Sequence, residues 1–154
     1  MNYSLVFAAT NLPSYVKDKN ILEYERMHLI SLEGTSNARD LGGYLTLDDK
    51  KTKSGVFIRA DDTDELTDAD IEKLLELGVK VVIDLRHEKA TQIWPDKLAA
   101  VEGVHYYHIP ISEFHRTSNG EYKGYLWYTG EGNVVKRLFD IIADLDDGAV
   151  LFPV

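Results

Sequence analysis

The sequence predicts an α/β fold built on a mainly parallel central sheet flanked by helices. Val79 to Leu85 is an apolar run broken only by Lys80 and Asp84, the pattern of a strand covered on both faces. Two segments of helical periodicity, 67–78 and 133–145, each lead directly into such a run. Ala149-Val150-Leu151-Phe152 completes the second of these units as another buried strand.

The elements can be justified in order. Residues 1–26 carry no clear period and are expected to form an irregular N-terminal arm. Met27 to Leu32 and Val56 to Arg59 read as short strands, separated by a Gly- and Asp-rich stretch of turns. Thr67-Asp68-Ala69-Asp70 has the form of a capping box, with Asp in the place of the usual Glu. Ile71, Leu74 and Leu75 follow at helical spacing, and Gly78 is a natural stop. Pro95 opens another short helix ending near Glu102-Gly103, and Val104 to Ile111 alternates like a strand.

Ser112 to Gly132 is a long loop holding Phe114, Tyr122, Tyr125, Trp127 and Tyr128. Such loops act as lids or as hydrophobic flaps, and the flap is the simpler reading. Asn133 is placed to cap a second helix with Val134, Val135, Leu138, Ile141, Ile142 and Leu145 as its buried stripe. Asp146-Asp147-Gly148 ends it. No repeat or linker divides the chain, so residues 1–154 are expected to form a single domain.

Composition removes several function classes. The chain has 17 Lys+Arg against 26 Asp+Glu, a formal net charge of −9, which argues against nucleic-acid or anionic-membrane binding. There is no cysteine, so these residues hold no disulfide, no thiolate metal site and no cysteine nucleophile. No apolar stretch approaches the roughly 20 residues of a membrane span, and no basic leader opens the chain. A cytoplasmic protein is expected.

Three tempting motifs fail on spacing. A calcium loop starting at Asp62 would need Gly and Glu where Thr67 and Lys73 stand. A dinucleotide fingerprint from Gly130-Glu131-Gly132 would need Gly where Val135 stands. His105 and His108 fall on opposite faces of a strand and are poor joint metal ligands. No metal or cofactor is expected.

Four segments in order carry a resemblance. They are Asn37-Ala38-Arg39-Asp40-Leu41-Gly42-Gly43-Tyr44, Gly55-Val56-Phe57-Ile58-Arg59-Ala60-Asp61, Leu66-Thr67-Asp68-Ala69-Asp70 and Leu77-Gly78-Val79-Lys80-Val81-Val82-Ile83-Asp84-Leu85-Arg86. Pro95-Asp96 and His108-Ile109-Pro110-Ile111 fit the same pattern. Over roughly Glu33 to Phe152 the chain resembles the bacterial tyrosine phosphatases that are similar to dual-specificity and phosphoinositide phosphatases.

The resemblance implies that a strand like 149–152 runs into a His-Cys-x5-Arg loop. In such a loop backbone N–H groups, the Arg and a helix N-terminus cradle phosphate, and the Cys attacks phosphorus as a thiolate. An Asp within the loop protonates the leaving group. Pro153-Val154 stand here where the His-Cys would begin. The expectation is therefore a truncated phosphatase lacking the C-terminal helices and inactive alone. Its complete form would hydrolyse phosphotyrosine, other phosphoprotein or phosphoinositide monoesters without a metal. The alternative is a pseudophosphatase or interaction module, which binds a partner or self-associates through the truncated edge.

Five residues are candidates for the active-site edge. Asp84 and Arg86, at the carboxyl end of a central strand, either brace the phosphate site or form a capped turn with a surface ion pair. Arg39 and Asp40 either position the phosphate loop or form a turn held by a salt bridge, the structural role being favoured. Arg59 either attracts an anionic substrate or is an ordinary strand-end arginine. A different chemistry, acid–base catalysis by Asp84 and His108, would need the two to converge within hydrogen-bond reach.

Overall fold

The computed structural model describes residues 28–110 and 132–154. The N-terminal arm expected over 1–26 and the aromatic loop over 112–131 lie outside the described residues.

The described residues form a six-stranded sheet. Its strands are β1 (Leu29–Ile30), β2 (Ala38–Asp40), β3 (Phe57–Ala60), β4 (Val79–Asp84), β5 (His105–His108) and β6 (Ala149–Pro153). The spatial order is β1-β2-β3-β6-β4-β5. β1, β2 and β3 pair antiparallel, whereas β3-β6, β6-β4 and β4-β5 pair parallel. The sheet is thus mainly parallel, as the sequence predicts, with an antiparallel margin.

Helix α1 (Asp68–Glu76) starts at the expected capping box. The Asp70 N–H donates to Thr67 Oγ1 at 3.1 Å, and the Thr67 N–H donates to Asp70 Oδ2 at 3.0 Å. Gly78, at φ +86°, ends the helix in a left-handed conformation that favours glycine. Leu74 is fully buried and Ile71 packs beside it, but Leu75 is 40% exposed. The expected stripe is therefore one residue narrower than its spacing suggests.

The expected break in β4 at Lys80 has a geometric cause. Val79 pairs with Ala149 and Val81 with Val150, so Lys80 is an extra residue in a bulge. Its side chain turns outward, and Nζ meets Asp147 at 2.7 Å. Gly148, at φ +92°, lets the chains close up there, because a Cβ would lie 2.8 Å from the Gly78 carbonyl oxygen.

Three elements differ from the sequence reading. The turns expected between the first two strands contain β2, whose three residues are too few to show a period. Helix α2 (Glu88–Ile93) has no buried residue and hence no apolar stripe to betray it. The short helix expected from Pro95 is a 3₁₀ turn over Lys97–Ala100, capped by the Asp96 side chain.

Helix α3 (Gly132–Ala143) begins one residue before the expected Asn133 cap. Travel from β3 to β4 and from β5 to β6 runs in opposite directions across the sheet. Right-handed crossovers then place α1 and α3 on opposite faces. The core divides accordingly. Ile58, Ala60, Leu74, Val82, Leu98 and Leu151 pack on the α1 face. Val81, Ile83 and Val150 pack with Leu138, Ile141, Ile142 and Leu145 on the α3 face.

Candidate active site

β3, β6, β4 and β5 all end at one edge of the sheet, where ligands of parallel α/β folds sit. The ladder continues past the strands, with Val154 N–H donating to Ala60 O at 3.1 Å and Ile109 N–H to Asp84 O at 2.9 Å. β6 lies inside the sheet, between β3 and β4.

Asp84 is the last residue of β4 and is fully buried. The chain then folds back, because the Arg86 N–H donates to Asp84 Oδ1 at 2.9 Å in a short Asx turn. That turn brings the guanidinium under its own carboxylate partner. Arg86 Nε donates to Asp84 Oδ1 at 3.0 Å, and Nη2 donates to Oδ2 at 2.8 Å. From β5, Tyr106 Oη donates to Asp84 Oδ2 at 2.8 Å. Arg86 Nη1 reaches Asp62, beyond β3, at 3.3 Å.

A second buried carboxylate stands behind the first pair. Asp96 Oδ2 accepts from the Thr63 hydroxyl at 2.6 Å, and Oδ1 accepts from the Leu98 N–H at 2.7 Å. His108 Nε2 donates to the Arg86 carbonyl at 2.9 Å.

The electrostatics follow from these partners. Burial pushes the Asp84 carboxyl up, but the hydrogen bonds of Arg86 and Tyr106 outweigh it and hold the group below the usual carboxylate range. Burial likewise works against the Arg86 charge, yet the Asp84 carboxylate raises its pKa overall. Burial and the bond to Asp84 push the Tyr106 phenol up. Asp96 is raised, first by burial and then by the Asp84 charge, although Thr63 and Leu98 oppose this.

The five sequence-derived candidates do not form one cluster. Asp84 and Arg86 meet in the buried network on the α1 face. The Arg86 side chain is only 4% exposed, so it braces the edge instead of presenting a surface charge. Arg39 and Arg59 are register partners on the opposite face, the one carrying α3. Asp40 accepts from the Gly42 N–H and the Gly55 N–H, both at 2.8 Å, and so fastens the 41–55 segment to the end of β2. Arg39 lies in a strand, not in a turn, and its Nε donates to Asn37 Oδ1 at 2.7 Å.

Asp84 and His108 are also register partners, but the described bonds of Asp84 go to Arg86 and Tyr106 and that of His108 to a carbonyl. The convergence needed for acid–base catalysis by that pair is not formed.

Sequence reasoning did not single out Tyr106, Asp62, Thr63 or Asp96 as site residues. Their signal is the sheet order itself, which brings the ends of β3, β4 and β5 to one edge. A cleft of about 570 Å³ opens nearby among Glu33, Asp61, Asp62, Asp64, Glu65 and Trp94. Its carboxylates disfavour a phosphate there. Among the described residues, no three His, Cys, Asp or Glu side chains are grouped to hold a metal ion, and no helix is long and apolar enough to cross a membrane.

A mainly parallel sheet with a braced Asp-Arg pair at its carboxyl edge defines an α/β protein whose candidate site lies at that edge. The Tyrosine phosphatase family matches residues 30–152, most of the chain, and the protein belongs to that family. A tyrosine-protein phosphatase of Nostoc commune is 36% identical over 106 residues, covering 62% of this chain and 36% of that protein. The chain thus spans about a third of the length of the curated relative it matches.

Proposed function

We propose that the chain forms the scaffold of a phosphate-monoester hydrolase, with the reacting phosphate held beyond the carboxyl ends of β6 and β4. The substrate class is a phosphorylated protein, phosphotyrosine foremost, or a phosphoinositide. The observation that carries this reading is the buried Asp84–Arg86 pair, tied to β5 by Tyr106 and to the segment after β3 by Asp62. It fixes three strand ends at one edge, as a preorganised anion site requires. Asp84 and Arg86 are positioning residues in this reading, since Arg86 is too buried to touch a ligand.

These 154 residues contain no cysteine and cannot form a cysteinyl-phosphate intermediate by themselves. Turnover of a phosphotyrosine peptide by the 154-residue chain is therefore expected to equal background. The same peptide should shift the amide resonances of Ala60, Leu85 and Val154 at the edge. Turnover above background, or shifts confined to the acidic cleft, would overturn the reading.

A second reading is an interaction module that binds a partner or a second copy. It is favoured by Phe139, 61% exposed on α3, together with Ile93 and Trp94, 64% and 52% exposed at the end of α2. Sedimentation of the chain distinguishes it. A dimer weakened by Phe139→Ser supports the module, and a monomer at all concentrations excludes self-association.

A further inference from the structure

The charge of this chain is unevenly placed. Residues 61–76 carry eight carboxylates against Lys73 alone, whereas 41–55 carry three lysines against two aspartates. β2 runs antiparallel to β3, so the segment that joins them lies at the amino end of β3. The segment that joins β1 to β2 lies at the carboxyl end, where it forms the acidic cleft together with residues 61–65. The four residues of β3, about 13 Å of strand, therefore separate the cleft from the lysine-bearing segment. One chain cannot bring the two together.

The lysine-bearing segment is a braced hairpin. Asp40 accepts from the Gly42 and Gly55 N–H groups at its base, Leu45 pairs with Lys51 across it, and the Thr46 N–H donates to Lys50 O at 2.8 Å near the tip. Leu47 is 91% exposed on that tip. An apolar side chain held out on a fixed turn gives up little freedom on docking, which makes it an effective anchor. Lys50 is paired with Asp48, but among the described residues no carboxylate is bonded to Lys51 or Lys53.

The cleft is the complement in each respect. Its volume of about 570 Å³ is that of a pocket able to enclose a turn tip. Trp94, 52% exposed, gives it an apolar wall. Asp61 is held by Thr35 and Ser36, and Asp62 by Arg86. Among the described residues, no cation is bonded to Glu33, Asp64 or Glu65. Unpaired carboxylates beside an exposed tryptophan match unpaired lysines beside an exposed leucine.

We propose that the 41–55 hairpin of one copy docks in the acidic cleft of a second copy, with Leu47 against Trp94 and with Lys51 and Lys53 facing Glu33, Asp64 and Glu65. The contact joins two unlike surfaces. Each docked pair therefore keeps one free hairpin and one free cleft, and association runs head to tail instead of stopping at a two-fold dimer. It depends neither on the reading of the sheet edge as a phosphate site nor on Phe139.

Complementation, followed by sedimentation velocity of the 154-residue chain, tests this. The hairpin variant Leu47→Ser/Lys51→Gln and the cleft variant Glu33→Lys/Glu65→Lys change only exposed side chains, so both should keep the thermal stability of the wild type. The wild-type chain should form species larger than a dimer as concentration rises. Each variant alone should associate at least about tenfold more weakly, the loss expected for an anchor or a charge cluster. An equimolar mixture of the two should form a 1:1 dimer that grows no further, because one intact hairpin and one intact cleft remain.

A wild-type chain that stays monomeric, or a mixture no more associated than its components, overturns the proposal. So does self-association that Phe139→Ser abolishes while the hairpin and cleft variants leave it intact, which assigns the contact to α3. Each of these failures leaves the phosphate reading standing, since that reading is tested by the edge amides of Ala60, Leu85 and Val154.

Discussion

Asp84 and Arg86, two residues apart in sequence, share three side-chain hydrogen bonds of 2.8–3.2 Å and a fourth from the Arg86 backbone N–H. The carboxylate is fully buried and the guanidinium nearly so. Such a pair pays for its own desolvation only while both partners are present.

Removal of one partner should therefore be severe. Asp84→Asn leaves the buried Arg86 charge with the exposed Asp62 and the more distant attraction of Asp96, and a loss of about 3–5 kcal/mol is expected. The double variant Asp84→Leu/Arg86→Met should lose less than the two single variants added together. Urea denaturation of the four proteins checks this.

Asp96 should behave in the opposite way. Its raised pKa means that folding favours the protonated carboxyl, a contribution present below the unfolded pKa and lost as pH rises through the folded one. At neutral pH the ionised group is thus a net cost beside Asp84. Asp96→Asn can still accept from the Leu98 N–H and donate to Thr63, so it should cost less than about 1 kcal/mol at pH 7. It should also flatten the dependence of stability on pH above 4. A large loss at pH 7 would refute this account of Asp96.

Acid unfolding should report Asp70. Burial opposes its charge, but the backbone N–H groups of Thr67, Glu33 and Gly34 outweigh burial and lower its pKa from 3.8 to about 2. A depressed carboxylate contributes stability above its unfolded pKa and loses it as pH falls through the folded value. The loss should therefore run from about pH 4 down to about pH 2. Asp70→Asn should remove about 1–2 kcal/mol at pH 7 and most of that acid slope, since an amide keeps one acceptor oxygen and loses either the bond from Glu33 or those from Gly34 and Thr67. Thermal unfolding across pH 2–7 measures both.

Neighbouring leucines on α1 should differ sharply. Leu74→Ala empties a fully buried site and should cost about 2–5 kcal/mol, whereas Leu75→Ala, at a site 40% exposed, should cost under about 1 kcal/mol. Equal losses in chemical denaturation would contradict the placement of the helix on the sheet.

Much of this was legible in residue order. The capping box, the Gly78 stop and the buried runs of β4 and β6 depend on local propensity and period, which short segments carry in full. So did the place of Asp84 and Arg86 at a strand end. β2 and α2 escaped for the converse reason: three residues hold no period, and a helix with no buried residue needs none.

What only the tertiary structure decided was which charges meet. Sequence proximity put Arg39 with Asp40 and left Arg59 alone. The strand register instead set Arg39 against Arg59 on one face, turned Asp40 to the backbone of Gly42 and Gly55, and drew Tyr106 and Asp62 from distant segments to the Asp84–Arg86 pair. Period and capping act over a few residues along the chain. The faces of a parallel sheet are assigned by strand order and crossover hand, which no single segment encodes.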